Sequence, residues 1–347
     1  MIQNFNIAWL SLTYNCNNRC VWCYAASNCH KNRNKQFNVG MLEKTAHLLS
    51  QLQVKRIILI GGEPTIYPEI TRVIGVLNSK DIQTGIVSNG RRLIQKRFLE
   101  NLKRAGLGSI SIGIEGSTAE LHDETTQIKG SYKETLSGLE NCISLGMNVS
   151  TNTVISEKNS NDLENIIHLL KNYPLNTITF NICGVCVSQE GNNRYLINPR
   201  LAVKSFERAY EVSRVLGRKV RLVTPMPLCF FSDSNREDLK KESIAKGGPC
   251  QLVHGKNFVI DYNGDILPCT HLTGFSYFNL YQKGRIISKE EFIKYYNDPD
   301  RQASKFRKRL NKFPSKKCER SRCSENCTGG CPLYWLKYNP DKEIHGI

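Results

Sequence analysis

The chain has 347 residues, 14 cysteines and a formal net charge of +17 at pH 7. Its apolar runs are too short to span a bilayer and no signal region opens the chain, so we expect a cytoplasmic protein, in which this many cysteines favours metal or redox chemistry over disulfides. The charge invites a nucleic-acid interpretation, but no dense basic block or nucleic-acid module is visible, so neither nucleic acid nor membrane is an expected partner.

The first half of the chain alternates β-branched runs with amphipathic helical patterns. Strands are predicted at 7–12, 56–60, 84–88, 109–114, 148–155 and 177–182. Helices are predicted around 41–52, 67–79, 91–105, 132–145 and 160–172, and again at about 201–216. Strands separated by helices form right-handed βαβ units, so we predict an α/β fold with a parallel sheet.

The C-terminal part of the chain has a different pattern. The stretch NFVIDYNGDILPC predicts a hairpin that turns at Asn263-Gly264, a pair typical of a type I′ turn. Charged helix and the cysteine-rich run CERSRCSENCTGGC follow it. We therefore predict two domains, 1–220 and 221–347.

A cluster of cysteines directly follows the first predicted strand. It comprises Cys16, Cys20 and Cys23, with Trp22 before the last of them. Three thiolates in one loop suit a [4Fe–4S] cluster in which one iron lacks a protein ligand and can bind a substrate or cofactor. The alternative is a structural zinc knuckle completed by Cys29 or His30, because structural zinc sites use four protein ligands.

The second predicted strand ends in Gly61-Gly62-Glu63-Pro64. A doubled glycine lets the backbone approach a ligand closely, and a glutamate carboxylate can accept hydrogen bonds from an ammonium group. Barrels of parallel strands place their active sites at the C-terminal ends of the strands, which is where this segment stands.

With these residues the chain resembles the radical S-adenosylmethionine (SAM) superfamily over about residues 5–185. The resemblance also rests on SNG at 88–90 and NT at 152–153. It implies a partial (β/α)6 TIM-like barrel, a [4Fe–4S] cluster on the three cysteines, and SAM at the open iron. The implied SAM contacts are Trp22, Gly61, Gly62, Glu63, Pro64, Ser88, Asn89 and Asn152.

The resemblance also implies a reductive mechanism. An electron from the cluster would cleave SAM, and the resulting 5′-deoxyadenosyl radical would abstract a hydrogen atom from the substrate. One region departs from the family: GIEG replaces the common Ser-x-Asp-Gly after the fourth strand, and Thr126 replaces a usual Arg. Glu115 and Ser117 are therefore the candidate SAM contacts there.

The C-terminal cysteines resemble the SPASM extension, which carries one or two auxiliary [4Fe–4S] clusters. Its first half matches at Cys250, Gly264 and Cys269, whereas the second half is spaced differently here and lacks the final cysteine. The resemblance implies a first cluster on Cys229, Cys250, Cys269 and Cys331. It implies a second on Cys318, Cys323 and Cys327. The candidates for its fourth ligand in this chain are His345, Asp341 and Glu343, and an open iron that binds substrate is the alternative. A zinc ribbon on the last four cysteines is the alternative.

The combined resemblance implies an enzyme that abstracts hydrogen from a peptide residue, as in maturases that cross-link, epimerise or oxidise ribosomal (RiPP) peptides. A small-molecule dehydrogenase or epimerase is the main alternative. A sulfatase-maturase-like protein oxidase is another, although Thr270 and His271 follow Cys269 where those enzymes usually carry Asp. A non-catalytic iron–sulfur electron carrier would not need the SAM-binding segment.

Asn181 and Cys186, near the end of the sixth predicted strand, are candidate catalytic residues. The expected partners are a peptide or small protein substrate and an electron donor such as flavodoxin or ferredoxin. Because the first strand begins at about residue 7, no leader-binding domain is expected before it. Either a separate leader-binding protein is a further partner, or the substrate is not guided by a leader.

Overall fold

A computed structural model describes residues 5–26, 31–32, 34–185, 195–241, 244–245, 250, 254–310, 314–319 and 327–344. In chain order its strands are β1 (Ile7–Thr13), β2 (Arg56–Gly61), β3 (Gln83–Ser88), β4 (Ser109–Gly113), β5 (Val149–Ile155), β6 (Ile178–Ile182), β7 (Val220–Leu222), β8 (Phe258–Ile260), β9 (Asp265–Leu267), β10 (Phe278–Asn279), β11 (Tyr281–Gln282) and β12 (Arg285–Ile286).

The α-helices of the described residues lie mainly between these strands. They are α1 (Leu42–Gln51), α2 (Ile70–Asn78), α3 (Lys96–Arg104), α4 (Ala119–Thr126), α5 (Ser131–Ser144), α6 (Leu163–Leu170), α7 (Pro199–Val215), α8 (Asp233–Lys241), α9 (Lys289–Asn297), α10 (Gln302–Leu310), α11 (Lys316–Glu319) and α12 (Pro340–Glu343). Within the described residues, no helix is long and apolar enough to cross a membrane.

The main sheet has the order β10-β9-β8-β1-β2-β3-β4-β5-β6-β7 and does not close on itself. Strands β1 to β7 are parallel neighbours in chain order, which confirms the predicted partial barrel. All of their C-terminal ends therefore meet at one edge. Each of the six predicted strands differs from its observed bounds by one residue at one end.

The predicted hairpin belongs to the same sheet as the barrel. Strand β8 pairs in parallel with β1 and antiparallel with β9, so the hairpin covers the edge of β1 that would otherwise be unpaired. On the opposite side, β7 extends the sheet beyond β6. The sheet thus continues past residue 220, and the division of the chain at that position stays a prediction.

The turn of this hairpin is not of the predicted type I′. A type I′ turn needs positive φ at both central residues, but only Gly264 of the pair has one, at 86°. The Gly264 N–H donates to the Asp261 carbonyl, and the Asp261 N–H to the Asp265 carbonyl. This is the geometry of a longer loop in which glycine takes the left-handed position after a turn.

An aromatic cluster joins the start of the barrel to the C-terminal part of the chain. The Phe5 ring lies 5.1 Å from the Phe258 ring, 5.4 Å from Phe292 and 5.1 Å from Tyr296, all edge-to-face. Edge-to-face pairs add to the free energy of apolar burial. The start of β8 and α9 therefore pack at the N-terminal end of β1, opposite the edge where the strand ends meet.

Candidate active site

The C-terminal ends of the barrel strands surround a cavity of about 280 Å³, called the central cavity below. The lining includes eleven of the predicted site residues: Cys16, Cys20, Trp22, Cys23, Gly61, Gly62, Glu63, Ser88, Asn89, Glu115 and Asn152. It also includes residues that sequence reasoning did not single out, among them Tyr14, Asn18, Tyr24 and Val87. The predicted cluster and SAM residues are thus brought to one place.

The doubled glycine lines the central cavity and also holds the cysteine loop. The Gly62 N–H donates to the Thr13 carbonyl at 2.6 Å and the Glu63 N–H to the Asn15 carbonyl at 2.8 Å. A Cβ on Gly61 would lie 2.2 Å from the Thr13 carbonyl oxygen, and one on Gly62 would lie 2.2 Å from that of Asn15. The chain's own backbone thus approaches both glycines closely, and the approach of a ligand to them stays a prediction.

The Glu63 carboxylate is also largely engaged by the protein. Its Oε1 accepts from the Thr65 N–H at 3.0 Å, the Thr65 hydroxyl at 2.6 Å and the Ser88 hydroxyl at 2.9 Å. Its Oε2 accepts from the Asn89 N–H at 2.7 Å. Burial raises the pKa of this carboxyl, and the hydrogen bonds oppose that effect. An ammonium ligand would thus meet Oε2, which has capacity for another donor.

The cysteine loop is anchored by further hydrogen bonds that sequence reasoning missed. Arg91 donates from Nη1 to the Asn17 carbonyl at 2.5 Å and to Asn18 Oδ1 at 3.1 Å. No sequence motif indicates this contact, which joins residues 74 positions apart. The Arg19 N–H donates to the Thr126 carbonyl at 2.9 Å, so the end of α4 also supports the loop.

Of the remaining predicted SAM contacts, Glu115 lines the central cavity, whereas Ser117 and Pro64 do not. Glu115 is 4% exposed, accepts from the Val154 N–H at 3.1 Å, and has a pKa that burial raises to about 8. Ser117 lies outside the cavity lining, and its hydroxyl donates to Asp162 at 2.6 Å. Pro64 is also outside the lining and begins a 3₁₀ turn.

Two polar side chains connect neighbouring strands at the cavity edge. Asn181, on β6, donates to Asn152 Oδ1 at 2.6 Å, and Asn152 lines the cavity. Asn181 itself is outside the lining and orients Asn152 from behind. Cys186, the other predicted catalytic residue, lies outside the described residues.

The Trp22 side chain presents an unused donor. Its indole N–H is buried and has no hydrogen-bond partner, although Trp22 lines the central cavity. Buried polar groups are nearly always hydrogen-bonded. This N–H is therefore a candidate donor to a bound ligand.

The three cysteines of the loop are a donor set that suits an iron–sulfur cluster. Burial raises the pKa of Cys16 to about 12, with the charge of Glu63 as the next cause. Burial and the neighbouring Cys23 raise that of Cys20. Among the described residues, no three metal-ligating side chains converge on a single ion. A cluster offers each thiolate its own iron, so it does not need three thiols to converge on one ion. Cys29 and His30 lie outside the described residues.

A second cysteine group lies in the C-terminal part of the chain. Burial raises the pKa of Cys331, and its next causes are the neighbouring thiols of Cys250 and Cys269. Cys250, Cys269 and Cys331, called the auxiliary cysteine group below, are three of the four residues that the sequence assigned to the first auxiliary cluster. Cys229 is next to Leu228, whose N–H donates to Cys327 Sγ at 3.5 Å. Cys318 lies in α11. Cys323 and His345 lie outside the described residues.

The partial barrel and the three cysteines at its cavity are features of a radical SAM domain. The family model of the Radical SAM superfamily matches residues 10–170. The chain carries a radical SAM domain, and this family binds a [4Fe–4S] cluster together with SAM. The predicted cofactor of the barrel and the predicted family are thereby confirmed.

Relatives and solved structures are similar over much of the chain. GTP 3′,8-cyclase of Alkaliphilus oremlandii (strain OhILAs) is 26% identical over 72% of this chain and 81% of its own length. AdoMet-dependent heme synthase of Methanosarcina barkeri is 25% identical over 69% of this chain and 66% of its own length. Streptococcus suis SuiB bound to precursor peptide SuiA superposes with a TM-score of 0.71, 16% identity, and coverage of 99% and 75%. The structure of anSMEcpe with bound AdoMet superposes with a TM-score of 0.72 and 14% identity, over 97% of this chain and 95% of its own length. At these identities the two structures show the fold.

Proposed function

We propose that this radical SAM enzyme carries auxiliary iron–sulfur clusters and abstracts hydrogen from a residue of a peptide. The observation that carries the proposal is the auxiliary cysteine group, a second set of thiols in addition to the set in the central cavity. Support comes from the two superposed proteins, since SuiB was crystallised with the peptide SuiA and anSMEcpe with the Cp18Cys peptide.

Each part of the central cavity has a task in this proposal. Cys16, Cys20 and Cys23 hold the cluster. When bound, the cluster and SAM supply a 5′-deoxyadenosyl radical that removes a hydrogen atom from the substrate. Glu63 Oε2 accepts from the methionine ammonium, and the Trp22 N–H donates to another polar group of SAM. These contacts fix SAM so that the radical forms next to the substrate.

The auxiliary cysteine group accounts for substrates that lose two hydrogens. Such a substrate gives up one hydrogen as an atom to the 5′-deoxyadenosyl radical and the other as a proton and an electron. The proton passes to water. Cys250, Cys269 and Cys331, with Cys229 as the expected fourth ligand, would hold the oxidised [4Fe–4S] cluster that accepts the electron. Cys318, Cys323 and Cys327 would hold a second one.

The partners of the proposal follow from its chemistry. A low-potential donor such as flavodoxin or ferredoxin must supply the electron for SAM cleavage, and a separate leader-binding protein would present the peptide. The net charge of +17 suits a substrate with acidic segments, whose binding should weaken as salt rises. A small-molecule substrate is the second candidate, because the GTP 3′,8-cyclase relative aligns with 72% of the chain.

The proposal is tested by mass spectrometry of candidate peptides. Reconstituted enzyme, SAM and dithionite are incubated with peptides encoded beside this gene, and a reaction without SAM is the control. We expect one peptide to lose two hydrogens or to exchange a hydrogen for solvent deuterium. The proposal fails if every peptide is unchanged while an amino sugar or another small metabolite loses two hydrogens.

Replacing Trp22 with Phe should weaken SAM binding about fivefold, because a hydrogen bond of about 1 kcal/mol is lost while the aromatic ring is kept. The measurement is the SAM concentration at half-maximal 5′-deoxyadenosine production, together with equilibrium binding. Trp9→Phe is the matched control, since Trp9 lies on β1 and outside the cavity lining. Equal SAM affinities in Trp22→Phe and wild type would show that the indole N–H does not bind SAM.

A further inference from the structure

His271 lies between the central cavity and the auxiliary cysteine group. Its ring is in tilted contact with the Tyr24 ring, with centroids 4.7 Å apart. Tyr24 directly follows Cys23 and lines the central cavity. On the other side, His271 Nδ1 is 3.8 Å from Cys269 Sγ, within hydrogen-bonding reach for sulfur. One imidazole thus contacts a wall of the SAM site and a predicted cluster ligand.

Backbone geometry fixes this imidazole in place. Cys269 ends the hairpin arm that follows β9, and a 3₁₀ turn at Thr270–Leu272 begins there. The Leu272 N–H donates to the Cys269 carbonyl at 3.1 Å, which closes the turn. Gly184, just after β6, packs against the ring, since a Cβ built on it would lie 2.4 Å from His271 Nε2. The ring is therefore held by three separate segments of the chain.

The hydrogen bond between His271 and Cys269 has a defined direction once that cysteine is a cluster ligand. A ligating thiolate can only accept hydrogen bonds, so His271 Nδ1 must carry the proton. A hydrogen bond to a ligand sulfur offsets its negative charge and stabilises the reduced cluster, which carries one more electron. Thr270 Oγ1 is the competing polar group, at 4.0 Å from Cys269 Sγ and 3.3 Å from His271 Nδ1.

We propose that His271 is a positioning residue that raises the reduction potential of the auxiliary cluster held by Cys269, and that it links this cluster to the SAM cavity through Tyr24. The inference rests on the proposed function, because it requires a cluster at Cys269. The cluster that accepts the substrate's electron would then be tuned by a side chain that contacts Tyr24 in the wall of the SAM cavity.

The test is a redox titration of the reconstituted holoenzyme, followed by electron paramagnetic resonance, for two variants of similar size. His271→Asn keeps an amide donor near the position of Nδ1, whereas His271→Leu has none. We expect His271→Leu to shift the reduction equilibrium of one cluster about tenfold towards the oxidised form, about 59 mV for one electron. His271→Asn and Thr270→Val should stay close to wild type, and the cluster that responds to SAM should be unchanged throughout.

Two results would overturn the inference: the wild-type potential in His271→Leu, or a shift that follows Thr270→Val instead. If His271→Leu fails to assemble the cluster, His271→Gln replaces it, because its amide reaches the Nε2 position and not Nδ1. Iron analysis of Cys269→Ala tests the auxiliary cluster separately from its tuning by His271. Unchanged iron in that variant would refute the auxiliary cluster itself, whereas a lost cluster with no effect of His271 would refute only the tuning.

Discussion

Replacing Cys16, Cys20 and Cys23 together with Ala should remove about four irons per chain and abolish all production of 5′-deoxyadenosine. The three thiols line one cavity with the segment that would hold SAM, so no other described residues offer this combination. With two auxiliary clusters loaded, the wild-type protein should hold about eleven to twelve irons after anaerobic reconstitution. Iron analysis and chromatography of the SAM products measure both effects.

The control for this variant is Cys142→Ala. Cys142 is buried in α5 and lies outside the lining of the central cavity. Its replacement should leave both the iron content and SAM cleavage near wild type. Continued SAM cleavage by the triple variant would contradict the assignment of the cluster to this loop.

Replacing Gly62 with Ala should prevent the cysteine loop from reaching its position, with a loss of about 3 kcal/mol or more in the free energy of unfolding. The added Cβ would lie 2.2 Å from the backbone oxygen of Asn15, which directly precedes Cys16. Backbone cannot move aside as a flexible side chain can. We therefore expect the variant to bind little iron at this loop and to cleave SAM at less than a tenth of the wild-type rate.

Gly75→Ala is the matched control for this substitution. Gly75 lies inside α2, and a Cβ there would meet nothing within 4 Å. Alanine in a helix interior is favoured over glycine by about 0.5–1 kcal/mol, so this variant should be slightly more stable and fully active. Thermal unfolding and iron content compare the two. If Gly62→Ala matched Gly75→Ala in both, the packing of the loop on the doubled glycine would be refuted.

The strands of the barrel could be predicted because their sequences are unambiguous. The run RIILIG of β2 contains three isoleucines and is buried or half-buried throughout, and β5 alternates buried and half-buried positions along its length. Both patterns are typical of strands. Helix α4 was missed because AELHDETT carries few apolar residues, and its start depends on a cap in which Thr118 accepts from the Leu121 N–H.

Long-range pairing was outside the reach of local patterns. The sequence predicted a hairpin at the right place, but nothing in it indicated that β8 would pair with β1, far away in the chain. The turn type was wrong for a related reason. Asn-Gly favours type I′ in a two-residue loop. Here the backbone of Asp261 is hydrogen-bonded to that of Gly264 and Asp265, which gives a longer loop.

The candidate site could be predicted in its composition but not in its contacts. Motif spacing identified most of the cavity lining, since those residues follow the ends of parallel strands. The roles within it depend on partners distant in sequence. Glu63 is engaged by Ser88 and Asn89, and the glycines before it by Thr13 and Asn15. Arg91 acts through a carbonyl in the cysteine loop, which no motif indicates.

The central claim is that SAM occupies the coordination place that three cysteines leave open. Its most direct measurement is electron–nuclear double resonance on the reduced protein with SAM labelled with ¹⁷O in its carboxylate. The account predicts a ¹⁷O coupling to the cluster whose signal is missing from the Cys16, Cys20 and Cys23 triple variant. A spectrum in which labelled and unlabelled SAM are indistinguishable, with SAM bound at saturation, would contradict it.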